Sequence, residues 1–225
     1  MRKIFILFQL LFSLLFNLKA SPVDSISTVY KNGEFRTFYE TKIKASNKIL
    51  SDVADYLVSD FHNSPGNLFN WALKDLGLQN KKNELIFVFK SSDHDLKTGI
   101  THGKFDIIVP NITTFSNIKV DAIVSKKNYT NGDSKVTADI IYSSLLLKNA
   151  LGTVTIIPQK NNEQLIITNV SIKFGWFFNI FITKKRYKSI VEWRIKKFSE
   201  NMKNECLQRQ QAELNKSALL TVKSQ

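Results

Sequence analysis

Cysteine is almost absent from this sequence: Cys206 is the only one among 225 residues. One thiol cannot form an intramolecular disulfide or a zinc site built on several thiolates, so aliphatic and aromatic side chains must stabilise the fold. The 17 Phe residues can supply such a core. We therefore expect Cys206 to be a buried packing residue rather than a nucleophile.

Acidic residues are also few relative to basic ones. The chain has 19 Asp and Glu against 32 Lys and Arg, which gives a formal charge of +13. Such a balance favours anionic partners, namely lipid headgroups, acidic polymers or nucleic acid. The 43% hydrophobic and 23% charged content is typical of one folded domain and excludes a disordered chain.

The common sequence motifs of enzymes are missing. There is no nucleophile elbow, phosphate-binding loop, dinucleotide fingerprint or Cys-x-x-Cys pair, so we predict no catalytic residue and no cofactor. One polar cluster, containing His94, His102 and Asp106, could place two imidazoles opposite each other across a hairpin and bind zinc. A solvated hairpin tip rich in turn-forming residues explains the same pattern, and we predict no metal site.

The first twenty residues have the layout of a signal peptide. Two basic residues precede an apolar run over 4–18, which is shorter than the roughly 20 residues that a spanning helix needs. Ala20 offers a small residue for cleavage before Ser21. We predict that 1–20 are removed, which lowers the formal charge from +13 to +10, and that the chain is exported to the periplasm or the extracellular space. Export argues against nucleic acid as a partner; retention as an uncleaved anchor is the alternative.

Hydrophobic periodicity in the rest of the chain changes between the strand and the helix period. After a leader segment over 21–33, alternation over 34–44 predicts a strand with one solvated face. Two helices are predicted next, over 47–61 with Asn47 as the N-cap and over 67–76. Six strands are predicted next, over 84–90, 104–109, 117–125, 135–144, 153–157 and 164–176. A long helix over 184–208 and a flexible tail over 209–225 complete the chain.

The short links between the six strands predict an antiparallel meander, because parallel neighbours need long crossovers. Asn131-Gly132 is a hairpin signal within it. The long helix carries one apolar stripe that we expect to pack on the sheet. Its members are Tyr187, Ile190, Val191, Ile195, Phe198, Met202 and Cys206.

This order of elements resembles the helix-grip arrangement of the START-like superfamily, which includes pollen-allergen proteins, polyketide cyclase-like proteins and lipid-transfer domains. The matching pieces are 34–44, 48–61, 68–76, the six runs within 84–176, and 184–208. The resemblance implies an α+β domain over 34–208. In it a curved antiparallel sheet of about seven strands grips the last helix, and two shorter helices follow the first strand. It also implies an apolar cavity that often holds a lipid, a sterol or another hydrophobic molecule.

Candidate ligand-binding residues are the large side chains that we expect to face this cavity. They are Phe87, Phe105, Tyr142 and Phe174 on the strands and Ile195, Phe198 and Met202 on the helix. The alternative is that they simply fill the core. Arg194 falls on the same apolar stripe, where a charge needs an anion. That anion is either an inward carboxylate of the protein or the acidic head of a bound ligand.

A run of aromatic residues beside clustered cations is a candidate membrane contact. Its members are Trp176, Phe177, Phe178, Lys184, Lys185 and Arg186. Apolar side chains of such a surface enter the lipid interface, and the cations meet anionic headgroups. The alternative is a buried link followed by the solvated face of a helix.

These features predict an exported, non-catalytic protein that binds a hydrophobic small molecule or lipid and acts at a membrane surface. The first alternative is a structural or interaction module of the cell envelope, with a filled core and a basic binding face. An enzyme of cyclase or hydrolase type is the second. A cavity of hundreds of cubic ångströms would favour the binding protein over the module.

Overall fold

Eight antiparallel strands form one curved sheet in the computed structural model, in the order β1-β2-β8-β7-β6-β5-β4-β3. The structure describes residues 24–75, 86–144, 146–176 and 182–223. The strands are β1 (Ser25–Lys31), β2 (Glu34–Lys44), β3 (Ile86–Asp95), β4 (Ile100–Val109), β5 (Thr113–Asn128), β6 (Ser134–Ser143), β7 (Leu147–Pro158) and β8 (Glu163–Phe174). The helices are α1 (Asn47–Asn63), α2 (Pro65–Asn70) and α3 (Lys184–Lys223).

The predicted meander is confirmed, since each strand from β3 to β7 pairs with the next strand in sequence. The hairpin at Asn131-Gly132 is present, but its loop spans five residues, 129–133, and only Gly132 has a positive φ, of 90°. Across this loop the backbone N–H of Gly132 donates to the carbonyl oxygen of Tyr129, and the backbone N–H of Tyr129 donates to the carbonyl oxygen of Asp133. The connection is therefore wider than the two-residue turn that the dipeptide suggests.

An eighth strand, β1, lies where we predicted only a leader segment. It pairs with β2 through a turn at Asn32 and Gly33, whose φ values are 53° and 76°. Two consecutive positive φ values are the geometry that an Asn-Gly dipeptide favours. The Asn32-Gly33 pair was thus the sequence signal for this hairpin.

The N-cap of helix α1 lies one residue earlier than predicted. The hydroxyl of Ser46 accepts the hydrogen bond of the Ile49 N–H, so Ser46 rather than Asn47 is the N-cap. The predicted helix over 67–76 is shorter and begins earlier, as α2, because Pro65 suits the first helical turn. Residue 76 lies outside the described residues.

Helix α3 is longer than predicted and includes most of the segment that we expected to be a flexible tail. Arg209 pairs with Glu205 at 2.8 Å, and Glu213 pairs with Lys48 of α1 at 3.1 Å. The predicted apolar stripe of the helix is buried or half-buried, as expected. No helix in the described part of the chain is long and apolar enough to cross a membrane.

The core is densest where α1 and the middle of α3 lie on the sheet. Leu50 and Val53 of α1 are fully buried there with Met202 and Cys206 of α3. Burial raises the pKa of the Cys206 thiol to about 12, so this group is not a thiolate near neutral pH. A second cluster, which includes Phe35, Phe174 and Tyr187, lies nearer the start of α3.

Candidate functional site

Three adjoining pockets lie between the sheet and the helices. The Phe174 pocket, of about 250 Å³, lies between β4–β8 and the first turns of α3. The Val154 pocket, of about 350 Å³, lies between β5–β8, α1, α2 and α3. The Phe89 pocket, of about 200 Å³, lies between β3–β6 and the end of α1. Neighbouring pockets share wall residues and therefore lie side by side; we call the three together the branched cavity.

Shared residues show how the three pockets connect. Arg194 lines both the Phe174 pocket and the Val154 pocket. The Val154 pocket and the Phe89 pocket share Phe61, Leu68, Leu73, Val124 and Ala138. Among the described residues that line the three pockets, Arg194 is the only one that carries a charge. The cavity is therefore suited to a hydrophobic molecule.

Small residues explain why the space beneath α3 is open. Ala138 of β6 and Gly152 of β7 are cross-strand partners, and both line the Val154 pocket. A Cβ atom on Gly152 would lie 3.9 Å from the carbonyl oxygen of Ala138, so there is room for one. Sequence reasoning overlooked this pair, although the inward alternation of Val136, Ala138 and Ile140 was a signal for it.

Five of the predicted ligand-binding residues line the cavity. They are Phe105, Phe174, Arg194, Ile195 and Phe198. Gly103 allows the ring of Phe105 to lie where it does, because a Cβ on Gly103 would lie only 2.8 Å from Cε2 of that ring. The side chain of Phe87 lies outside the described residues.

Two predicted ligand-binding residues, Met202 and Tyr142, do not line any of the three pockets. Met202 is 2% exposed and packs in the core with Cys206, so at this end of the helix the alternative of a filled core applies. Tyr142 is 52% exposed. Asp121 pairs with Tyr142 and Ala122 with Ile140, so Ile141 is an extra residue in the strand. This β-bulge reverses the alternation and turns Tyr142 to the outer face.

The two histidines of the candidate metal cluster lie on opposite faces of the sheet. His94 is the cross-strand partner of Thr101, and His102 is the partner of Asp93, so consecutive positions send the two rings to different sides. His102 Nδ1 lies 2.7 Å from Asp121 Oδ1. No group of three potential metal ligands occurs in the described residues. The expectation that His94 and His102 face each other is therefore wrong.

His94 instead stacks on His62 of α1. The ring centroids are 4.2 Å apart with an angle of 16° between the planes. His62 Nε2 donates to the carbonyl oxygen of Val124 at 3.0 Å, and His94 Nδ1 lies 2.8 Å from the hydroxyl of Thr101. Burial, together with the charge that His94 can carry, lowers the pKa of His62. The stacked pair joins the end of α1 to the sheet beside the Phe89 pocket.

This arrangement predicts that the protein loses stability in mild acid. Because the pKa of His62 is lower in the folded state, the unfolded chain binds more protons, and stability falls as the pH drops through the unfolded pKa of about 6.5. We expect His62→Gln to reduce the decrease in unfolding free energy between about pH 7 and about pH 5. Urea denaturation at several pH values measures it. Equal slopes of unfolding free energy against pH for the wild type and His62→Gln would contradict the prediction.

Exposed apolar residues and cations surround the end of the sheet nearest the Phe174 pocket. Alternate turns of a meander lie at the same end, so the β4–β5 turn with Ile112 lies at the same end as Trp176 after β8. Ile112 is 59% exposed and Trp176 is 75% exposed. Lys184 and Lys185 are exposed where α3 begins, and Lys184 Nζ lies 4.8 Å from the ring centroid of Tyr30.

We call this surface the basic rim; it comprises Tyr30, Ile112, Trp176, Lys184 and Lys185. Of the predicted membrane-contact residues, Trp176, Lys184 and Lys185 are exposed on it. Arg186 is half-buried, and its backbone N–H donates to Thr183 Oγ1 at 3.2 Å. Phe177 and Phe178 lie outside the described residues.

The sheet, the long C-terminal helix and the two short helices between β2 and β3 define a START-like helix-grip fold, as the element order predicted. A conserved protein from Geobacillus kaustophilus has a similar structure with a TM-score of 0.50 and 11% identity, covering 77% of this chain and 95% of that chain. A START superfamily protein from Mycobacterium smegmatis gives a TM-score of 0.47 and 9% identity, covering 77% and 97% of the two chains.

Norcoclaurine synthase from Thalictrum flavum, solved as a point mutant with a transition-state analogue, is similar with a TM-score of 0.44. It shares 14% identity, and the match covers 83% of this chain and 99% of that chain. Neither a family model nor a curated protein sequence matches this chain. At 11% identity the similarity to the Geobacillus kaustophilus protein establishes the fold alone.

Proposed function

We propose that this protein binds a hydrophobic small molecule or lipid in the branched cavity, without covalent chemistry. The observation that carries the proposal is the set of three adjoining apolar pockets under α3, because ligand sites are typically apolar clefts of about 300–1,000 Å³. START-like folds commonly bind hydrophobic ligands. An envelope module with a filled core would have no such pockets, so the pockets favour a ligand-binding protein over the module.

The ionisable groups on the described cavity walls offer no general base near neutral pH. Arg194 stays protonated, and burial raises the pKa of the Tyr187 phenol above its usual value. Neither side chain can therefore readily accept a proton from a substrate. A fluorescent fatty acid tests the binding itself: saturable emission enhancement with the folded protein is expected, and no binding of any apolar probe would contradict the proposal.

The proposal includes export. The basic start, the apolar run over 4–18 and the small residue Ala20 support cleavage before Ser21. Sequencing the N-terminus of the protein from fractionated cells is the test. A chain that starts at Met1 and is recovered with the cytoplasm would contradict it.

We also propose that the ligand enters and leaves the protein at the basic rim while this surface contacts an anionic membrane. Exposed Ile112 and Trp176 lie at the same end of the sheet as Lys184 and Lys185, and apolar side chains together with cations are what an interfacial contact needs. Phe174 and Ile182 line the nearest pocket, so a molecule leaving the membrane here would meet the cavity directly. The one carboxylate of β2 near this end, Glu34, is already paired with Arg36 at 2.7 Å.

Reversing two charges on the basic rim should weaken membrane binding. Each Lys near an anionic surface contributes about 1 kcal/mol, so Lys184→Glu with Lys185→Glu should lower partitioning onto phosphatidylserine-containing vesicles by more than about 10-fold. Sedimentation with sucrose-loaded vesicles measures this. The matched control is Lys127→Glu with Lys160→Glu, since both lysines are exposed at the opposite end of the sheet. Equal losses in the two double variants would show that net charge, and not the rim, determines binding.

A further inference from the structure

Arg194 is the charged residue at the junction of two apolar pockets. It lies on α3 and contributes to the walls of both the Phe174 pocket and the Val154 pocket. Its Nε atom is inaccessible to solvent, and its helix neighbours Ile190, Val191, Ile195 and Phe198 are apolar cavity residues. A permanently charged side chain thus forms part of the wall of the proposed binding site.

A purely apolar ligand would be a poor match for this wall. Filling the two pockets with hydrocarbon would displace water from the remaining exposed part of the guanidinium, and removing a charge from water is costly unless an anion compensates. A carboxylate compensates well, because the planar guanidinium has five N–H donors and binds carboxylates through two parallel hydrogen bonds. With five donors the group can keep a contact to the protein and still present two of them to a ligand.

The position of Arg194 also limits the size of the anionic group. Arg194 lines both pockets, between the sheet and α3, and their other described wall residues are apolar except for Thr153, Thr168 and the phenol of Tyr187. A bulky phospholipid headgroup would have to be desolvated there without partners, whereas a carboxylate is small and satisfied by one guanidinium. The Val154 pocket is the larger of the two, and through Phe61 and Ala138 it continues into the Phe89 pocket, which offers a path for a long chain.

Building on the proposed function, we infer that the ligand is a long-chain carboxylic acid. Its carboxylate lies against the guanidinium of Arg194, and its hydrocarbon chain occupies the Val154 pocket and extends towards the Phe89 pocket. Arg194 thereby selects acids over neutral lipids of the same chain length.

Competition between an acid and its ester tests this inference. Palmitic acid and methyl palmitate each displace a neutral hydrophobic dye from the wild-type protein, and the acid should bind about 10–100-fold more tightly, because only it forms charge-assisted hydrogen bonds. Arg194→Met should weaken binding of the acid by a similar factor and leave the affinity for the ester unchanged or higher. Arg194→Lys should restore part of the preference, since it keeps the charge but loses the bidentate geometry.

Arg36→Met is the matched control, because Arg36 is an exposed arginine on β2 that lines none of these pockets. It should retain the wild-type preference for the acid. Equal affinities of the wild-type protein for acid and ester would overturn the inference without any variant, even if Arg194→Met failed to fold. If both ligands bind but Arg194→Met still prefers the acid to the ester, the carboxylate of the ligand does not bind at Arg194; the inference is then wrong, and the proposed function is unaffected. If neither ligand displaces the dye, the inference fails, and if no apolar probe binds at all, the proposed function fails with it.

Discussion

Replacing Gly152 with phenylalanine should strongly weaken the binding of hydrophobic ligands and leave the protein folded. Gly152 lines the Val154 pocket, its φ lies outside the left-handed region, and its Cβ position meets no atom closer than 3.9 Å. A benzyl group there would occupy the space of several methylene groups of the ligand, each of which contributes about 0.8 kcal/mol when buried. The expected loss of affinity in a dye titration is on the order of 100-fold.

Leu151→Phe is the matched control for this variant. Leu151 is the preceding residue of β7, points to the outer face and is 42% exposed. The same aromatic ring at this position should leave the affinity nearly unchanged, and thermal unfolding should show both variants folded. Wild-type affinity in Gly152→Phe would mean that the ligand does not use the Val154 pocket.

Phe35→Ala should cost about 3–5 kcal/mol of unfolding free energy, the usual result of truncating a buried aromatic side chain. Phe35 is 2% exposed, its ring stacks on Tyr187 of α3 with centroids 3.9 Å apart, and it meets Phe174 edge-on at 6.1 Å. This cluster fastens the first turns of α3 to the sheet and supports the wall of the Phe174 pocket.

Phe38→Ala is the comparison for Phe35→Ala. Phe38 lies three residues further along β2, on the opposite face, and is half-buried. We expect its truncation to cost about 1 kcal/mol, because much less apolar surface is lost from the core. Urea denaturation measures both values. Equal costs for the two substitutions would contradict the assignment of Phe35 to the anchor of α3.

The sequence was sufficient to predict the order of elements and most of the fold. Alternation in β2 and the apolar stripe of α3 depend only on local periodicity, and both are present in the structure. β1 was missed because the strand is short and its sequence shows little alternation, although the Asn32-Gly33 dipeptide indicated a hairpin turn. The last turns of α3 were missed because the residues after 208 lack a clear apolar stripe, and the exposed ion pair of Glu213 with Lys48 joins residues that are far apart in sequence.

The cavity was less predictable than the fold, because it depends on cross-strand register. Phe105 and Phe174 could be assigned to it by alternation alone. Tyr142 could not be assigned correctly, because one extra residue in β6 reverses the face. The open space itself results from Ala138 and Gly152 becoming partners across β6 and β7; alternation indicates that Ala138 faces inward, but it does not specify which residue of β7 lies opposite.

The most direct test of the central claim is a crystal structure of the protein saturated with palmitic acid that carries bromine at the end of its chain. We predict an anomalous bromine peak at the far end of the Val154 pocket or in the Phe89 pocket, with continuous ligand density leading back towards α3. A peak-free cavity whose pockets are filled by rearranged side chains, at a ligand concentration that saturates, would contradict a ligand-binding role for this protein.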